Sequence, residues 1–311
     1  MATEQKRESE IWAIGGGKGG IGKSFVISSI GTSLALREKR VVLIDADFGG
    51  ANLHSFLGVS RPKFSLTDFF DKKLPLSDLI VNGGTKNLGF VAGAIDSLAG
   101  ESFTYTQKLK LFRHIKRITA DYVIIDLAAG STFNTIDAFL LADKMVAVII
   151  PELTSIENMY YFLKNAFFRR LIGSLNDNGF KDLVLSKWKN RWAYNITNLK
   201  QLVDYLKGLS NQIKDIVDKE LSNFEVHIVL NMIRTNQHVS IGNSVKSVCS
   251  KFLGFNAHYA GYVEYDNSIS RAVNRRQPYM LNYSASRCAK EIERVTDNLL
   301  SEDQIRIRLD R

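Results

Sequence analysis

The stretch Ile11-Trp12-Ala13-Ile14-Gly15-Gly16-Gly17-Lys18-Gly19-Gly20-Ile21-Gly22-Lys23-Ser24 joins an apolar run to a glycine-rich loop that ends in a lysine and a hydroxyl. Within it stand Gly17, four intervening residues, then Gly22, Lys23 and Ser24, the spacing of a phosphate-binding P-loop. Glycines at this density let successive backbone N–H groups turn toward phosphate oxygens, and a helix predicted over 23–36 points its positive end at the same place. Gly17, Gly19, Gly20, Ile21 and Gly22 are therefore expected to cradle the phosphates of a nucleotide with their main chain. Lys23 is expected to reach the β and γ phosphates, and the Ser24 hydroxyl to coordinate Mg²⁺.

Outward from the loop, β-rich blocks at 11–14, 41–45, 88–91, 122–126, 145–150, 226–231 and 258–263 alternate with helical patterns. The helices are predicted at 23–36, 107–118, 134–141, 156–171, 240–252, 268–274 and 284–300. Most of the strand blocks are continuously apolar, as expected when helices cover both faces of a sheet. The fold class is thus α/β: a mostly parallel, doubly wound sheet of the P-loop NTPase type. Residues 172–223 break the alternation, with no strand but a helical pattern in Leu199, Leu202, Val203, Leu206 and Leu209, and are expected to form an inserted helical segment. No repeat or flexible linker divides the chain, so residues 11–300 are expected to form one domain, with a disordered leader at 1–10 and a tail at 301–311.

Composition bounds the function. The chain has 311 residues, 45% hydrophobic and 23% charged, which excludes general disorder. The longest apolar block, Met145 to Ile150, falls far short of the roughly 18 residues of a membrane span, and 1–10 lacks the apolar middle of a secretory signal. A cytoplasmic location is expected. Cys249 and Cys288 stand far apart, and no two histidines share a helical face at metal-ligand spacing, so neither a disulfide framework nor structural zinc is predicted. A net charge of +9 favours polyanions, whether nucleotide, nucleic acid or anionic lipid.

Two strand ends carry carboxylates. The second block runs into Asp45-Ala46-Asp47, and Tyr122-Val123-Ile124-Ile125 ends in Asp126, followed by Leu127-Ala128-Ala129-Gly130, a Walker B pattern. Carboxyl ends of parallel strands are where ligands gather in open α/β sheets. A hard carboxylate at 126 suits Mg²⁺, held mostly through water opposite Ser24, and Asp45 suits the same metal shell. Of the pair Asp45 and Asp47, one can assist the metal while the other orients the attacking water.

The string Lys18-Gly19-Gly20-Ile21-Gly22-Lys23-Ser24 resembles the deviant Walker A motif of the MinD/ParA family of SIMIBI-class P-loop NTPases. That resemblance implies an ATP-dependent homodimer in which Lys18 contacts the ATP held by the partner subunit. It further implies that Asp47 positions the attacking water, that Asn231 contacts the adenine, and that ATP hydrolysis is slow and partner-stimulated. Segments around Pro151-Glu152-Leu153-Thr154 and Tyr262-Val263-Glu264-Tyr265-Asp266 look like their MinD counterparts, with the flavour of the FlhG/FleN (YlxH) branch that sets flagellar number and placement. Lys18, Lys23 and Asp47 are thereby the expected catalytic group.

Several positions depart from the family pattern. Ala128 replaces the usual proline or glycine of the Walker B loop, His54 stands where an acidic residue is common, and 1–10 carries no Asp-Gln-Ala type activation motif. The tail segment Ile305-Arg306-Ile307-Arg308-Leu309 has a period of two, unlike a lysine-rich amphipathic membrane helix. A basic cluster interleaved with aromatics, including Arg169, Arg170, Lys187, Trp188, Lys189, Arg191, Trp192 and Tyr194, is expected to be an effector surface. A protein effector, peripheral membrane association and nonspecific DNA binding of the ParA kind are all open partners at this point.

Overall fold

A computed structural model of the chain describes residues 9–47, 50–60, 62–93 and 104–301. The strands are β1 (Glu10–Gly15), β2 (Val41–Ala46), β3 (Val81–Asn82), β4 (Leu88–Val91), β5 (Tyr122–Leu127), β6 (Lys144–Ile149), β7 (Val226–Ile233) and β8 (Ala257–Glu264). They form one sheet in the order β3-β4-β2-β5-β1-β6-β7-β8, parallel throughout except for the antiparallel edge strand β3.

The helices are α1 (Lys23–Leu36), α2 (Leu53–Phe56), α3 (Leu66–Asp71), α4 (Tyr105–Ile115), α5 (Phe133–Leu140), α6 (Leu153–Asp177) and α7 (Lys181–Lys189). Then come α8 (Leu199–Lys207), α9 (Asn211–Ser222), α10 (Asn236–Val239), α11 (Ile241–Val248), α12 (Ser268–Asn274), α13 (Tyr279–Asn282) and α14 (Arg287–Leu300).

Each central strand feeds two cores. In β1, Ile11 and Ala13 join one buried cluster and Trp12 and Ile14 the other; in β2, Val42 and Ile44 divide in the same way from Val41 and Leu43. Strand periodicity of two sends alternate side chains to opposite faces, so a doubly covered strand must be apolar throughout. One face packs α3 to α11; the other packs α1, α2 and α12 to α14. A fully buried Ile, Leu, Val or Phe contributes about 1.5–3 kcal/mol. The sheet is therefore a stiff platform for whatever its carboxyl edge carries. Gly31 lets α1 lie against it, since a Cβ there would stand 2.6 Å from a Leu43 methyl.

Seven strands fall where the apolar blocks predict them. β3 escapes prediction because two residues carry no period. The helix predicted over 240–252 is instead α10, α11 and a π turn at Cys249–Leu253, closed by Gly254 at φ +89°. A regular α pattern does not anticipate the wider turn, which keeps Cys249 and Leu253 buried. The helix predicted over 156–171 begins at Leu153 and runs on through Asp177. Within 172–223 the described residues contain helices and no strand, and Val184, Leu199, Leu202, Leu206, Ile213 and Val217 belong to the same buried cluster as the sheet face. Cys249 and Cys288 lie in the two different cores, on opposite sides of the sheet, both as free thiols. Of the disordered leader expected at 1–10, residues 1–8 lie outside the described residues, but Ser9 bonds to the Ile118 and Ala120 carbonyls and Glu10 opens β1; Ile305 to Leu309 also lie outside them. No described helix is long and apolar enough to cross a membrane.

Candidate functional site

β1 delivers Gly15 to the middle of the sheet's carboxyl edge, between β5 and β6. From there the loop passes, at Gly16 and Gly17, where there is no room for a side chain. A Cβ on Gly16 would lie 2.8 Å from the Val148 carbonyl oxygen, and one on Gly17 2.2 Å from that of Asn158 on α6. Gly20 and Gly22 take φ values of +75° and +79°, in the left-handed region that side-chain-bearing residues rarely adopt. Gly22 is the N-cap of α1, with no described side chain capping it, so the N–H groups of the first turn face the loop's interior. Gly19 has open space around a notional Cβ, its nearest neighbour being the Ala129 methyl at 3.9 Å.

Lys23 is only 8% exposed, which for a lysine is unusual without a charged partner nearby. That partner is the acid group at the ends of β2 and β5. Asp45 and Asp126 face each other across the β2–β5 register and are 1% and 2% exposed. Burial and then the Asp45 charge push Asp126 up to about 7, while a hydrogen bond with the Ser24 side chain and the Lys23 ammonium pull the other way. Burial also pushes Asp45 up to about 6, against hydrogen bonds of 3.1 Å donated by the main-chain N–H groups of Leu53 and Asp47. Asp47 itself sits at the strand's exit, where its charge reaches both buried acids.

The donor set fits a hard divalent cation. Two buried carboxylates that resist ionising side by side, with a hydroxyl bonded to one of them, are relieved by an ion carrying two positive charges. Among the described residues no three His, Cys, Asp or Glu side chains converge, so phosphate oxygens and water would have to complete the shell. That is how Mg²⁺ is ordinarily held beside a nucleotide.

The remaining predicted residues are placed differently. Lys18 Nζ bonds to Glu152 Oε2 at 2.6 Å and Thr154 Oγ1 at 3.0 Å, at the start of α6, and is a third exposed. Asn231, 2% exposed, donates its amide to the Ile21 carbonyl at 2.9 Å, and a Cβ on Gly22 would crowd that nitrogen to 2.4 Å. Its amide nitrogen thus braces the loop from β7. Gly130, at φ +92°, donates its N–H to the Gly16 carbonyl at 3.4 Å and ties the Walker B loop to the phosphate loop. His54 on α2 is held below its usual range by burial and by Arg276, so this position disfavours a positively charged side chain where a carboxylate is common in the family.

Glu152, Thr154, Asn158 and the Leu53 N–H went unassigned in the sequence. A carboxylate and a hydroxyl two residues apart after an apolar block were visible at Glu152 and Thr154, but nothing local pointed them at Lys18, 134 positions away.

Residues 12–279 match the family model of the CobQ/CobB/MinD/ParA nucleotide binding domain. The septum site-determining protein MinD of Helicobacter pylori is 25% identical over 295 residues, 94% of this chain and 91% of that protein. The antiactivator FleN of Pseudomonas aeruginosa is 29% identical over 157 residues, 50% of this chain and 55% of FleN, so likeness to that branch is confined to half the chain. The structure of the septum site-determining protein MinD of Pyrococcus horikoshii complexed with Mg-ADP shares the fold, with a TM-score of 0.62 over 94% of this chain and 96% of that one at 16% identity.

Proposed function

Since the chain belongs to the CobQ/CobB/MinD/ParA nucleotide-binding-domain family, we propose that it is an ATP-dependent dimerising switch ATPase. It hydrolyses ATP to ADP and phosphate and thereby controls the position or number of a cellular structure, a flagellum or a division site. The observation that carries this reading is the buried Lys23, set between the glycine loop and the Ser24–Asp126 pair. Such a cation, pressed against acids that are themselves reluctant to ionise, is an arrangement that a phosphate chain and a divalent ion complete.

In this reading the main-chain N–H groups of residues 17–22 bind the phosphate oxygens, and Lys23 neutralises the β and γ phosphates. Ser24, with Asp126 and Asp45 through water, would hold Mg²⁺, which would supply further charge neutralisation on the phosphates. Asp47 orients the attacking water toward the γ phosphate.

Lys18 is the dimerisation sensor. In the single chain it rests on Glu152 and Thr154, a half-exposed pair worth about 0–1 kcal/mol. Little holds it back from a partner subunit's triphosphate, where it meets the charge that develops during γ-phosphate transfer. Glu152 then competes with ATP for Lys18. ATP binding drives association, an effector protein engages the dimer, and hydrolysis dissolves it.

Light scattering on an Asp47→Ala variant with ATP and Mg²⁺ tests this. A stable dimer is expected, lost when Lys18→Ala is added. A chain that stays monomeric at saturating ATP overturns the dimer reading, and salt-sensitive, ATP-dependent retention on unrelated duplex DNA would move it to the ParA-like partition class.

A further inference from the structure

Four cations on α6 and α8 have carboxylate partners. Arg170 pairs with Glu220 at 2.5 Å, Lys200 with Asp204 at 2.6 Å, Lys207 with Asp218, and Arg169 with Asp137. A second set, on α6, on α7 and in the turn that follows α7, does not. Among the described residues Lys164, Lys187, Lys189 and Arg191 face no carboxylate, and no acidic residue occurs in the sequence between Asp182 and Asp204. Lys164 and Arg191 lie close enough for Arg191's charge, after burial, to hold Lys164 below its usual range.

Three of them, Lys164, Lys187 and Arg191, lie over aromatic rings instead. Lys187 sits 4.1 Å above the Tyr194 ring and bonds to its hydroxyl at 2.9 Å. Arg191 lies 5.2 Å from Trp188 and 4.8 Å from Trp192, and Lys164 lies 4.9 Å from Tyr161. Between α7 and α8 the chain makes a short 3-10 turn, Arg191–Tyr194, in which residues 192–195 are exposed one after another. Trp192 is 66% exposed there, and Leu185 on α7 is exposed as well.

An exposed turn carrying Trp192 and Tyr194, with Leu185 exposed on the helix before it and Lys and Arg without carboxylate partners around it, matches the interface of a bilayer with anionic headgroups. Indole and phenol rings settle at headgroup depth, while the cations meet phosphates above them. A single strand of nucleic acid would need free ring faces on which to stack, and here cations already cover faces of Trp188, Trp192 and Tyr194. We infer that the turn Arg191–Tyr194, with Lys187 and Lys189 of α7, is a docking surface for membranes rich in anionic phospholipid. It does not depend on the nucleotide reading.

The test is flotation of the full chain, without nucleotide, with phosphatidylglycerol/phosphatidylcholine vesicles and with phosphatidylcholine vesicles alone. Binding is expected only to the anionic vesicles. Neutralising three charges in Lys187→Gln/Lys189→Gln/Arg191→Gln should weaken it by about 100-fold, at about fivefold per charge near the surface. Trp192→Ala, at an exposed side chain, should weaken it by about tenfold. It should also abolish quenching of tryptophan fluorescence by brominated lipid, because Trp12 is fully buried and Trp188 half-buried. Both variants should retain the wild-type circular dichroism and melting temperature. Absence of anionic-vesicle binding, or binding undiminished in the triple variant, overturns the proposal. Loss of duplex-DNA retention in the triple variant, with no vesicle binding by the parent, assigns the surface to nucleic acid and overturns it equally.

Discussion

Charge is handled in opposite ways at the two ends of α6. Along its second half Arg169 pairs with Asp137, and Arg170 shares Glu220 with Ser174, whose hydroxyl donates at 2.7 Å. These two arginines meet their complements within the fold. At the start of the same helix, where Asn158 backs the phosphate loop, Asp45 and Asp126 are buried as an acid pair and Lys23 is buried beside them. Structural charges are neutralised internally. Charges awaiting a ligand are left mismatched, and the fold carries the penalty until the ligand arrives.

The largest expected break of that contrast is Lys23→Ala. ATP turnover, followed by phosphate release, should fall by at least about 100-fold, while circular dichroism stays that of the parent. A retained rate would mean that the buried cation serves the fold alone.

Next comes Asp126→Asn. With the folded-state value at about 7, above the ordinary 3.8, this carboxyl ionises more easily in the unfolded chain. Its contribution to stability is therefore full below about pH 4 and is lost as pH rises through about 7. Removing the charge should stabilise the nucleotide-free protein by a few kcal/mol near pH 8 and hardly at all near pH 4. Thermal melts across pH check this, and a flat difference would contradict it. The same substitution should weaken the response to Mg²⁺.

Glu220→Gln probes the other end. It leaves Arg170 half-buried without its partner and should cost about 1–3 kcal/mol in denaturant unfolding, with ATP turnover unchanged. The smallest effect on stability is expected from Glu152→Gln, within about 1 kcal/mol for a pair this exposed. It should nonetheless lower the ATP concentration at which dimers form, because Lys18 is released; light scattering against ATP concentration reads that shift.

The parts of this molecule legible in the sequence are those with local signatures. The P-loop is eight consecutive residues, and the seven long strands announce themselves by apolar runs bounded by polar turns. The acids at 45 and 126 stand at strand ends, where parallel sheets collect ligands, and their mutual opposition follows once β2 and β5 are paired. What escaped was set by tertiary contact. Asn231 was singled out only through the family resemblance, and its brace on the Ile21 carbonyl shows only once β7 is laid near the loop. Glu152 and Asn158 acquire meaning only when α6 is docked against Gly17 and Lys18. β3 and α2 are too short for any period to show, and the π turn at Cys249–Leu253 keeps a core register that an α pattern does not encode. The aromatic and basic run at 187–194 was visible, but not that its cations would lie over its own rings rather than on carboxylates.

The most direct test of the central claim is calorimetric titration of the purified chain with ATP in the presence of Mg²⁺, alongside Lys23→Ala. The account predicts one nucleotide bound per chain, more tightly above pH 7 than near pH 5 as Asp126 ionises, and no uptake by the variant. Absence of nucleotide uptake by the parent chain at either pH, or equal uptake by the variant, would contradict it.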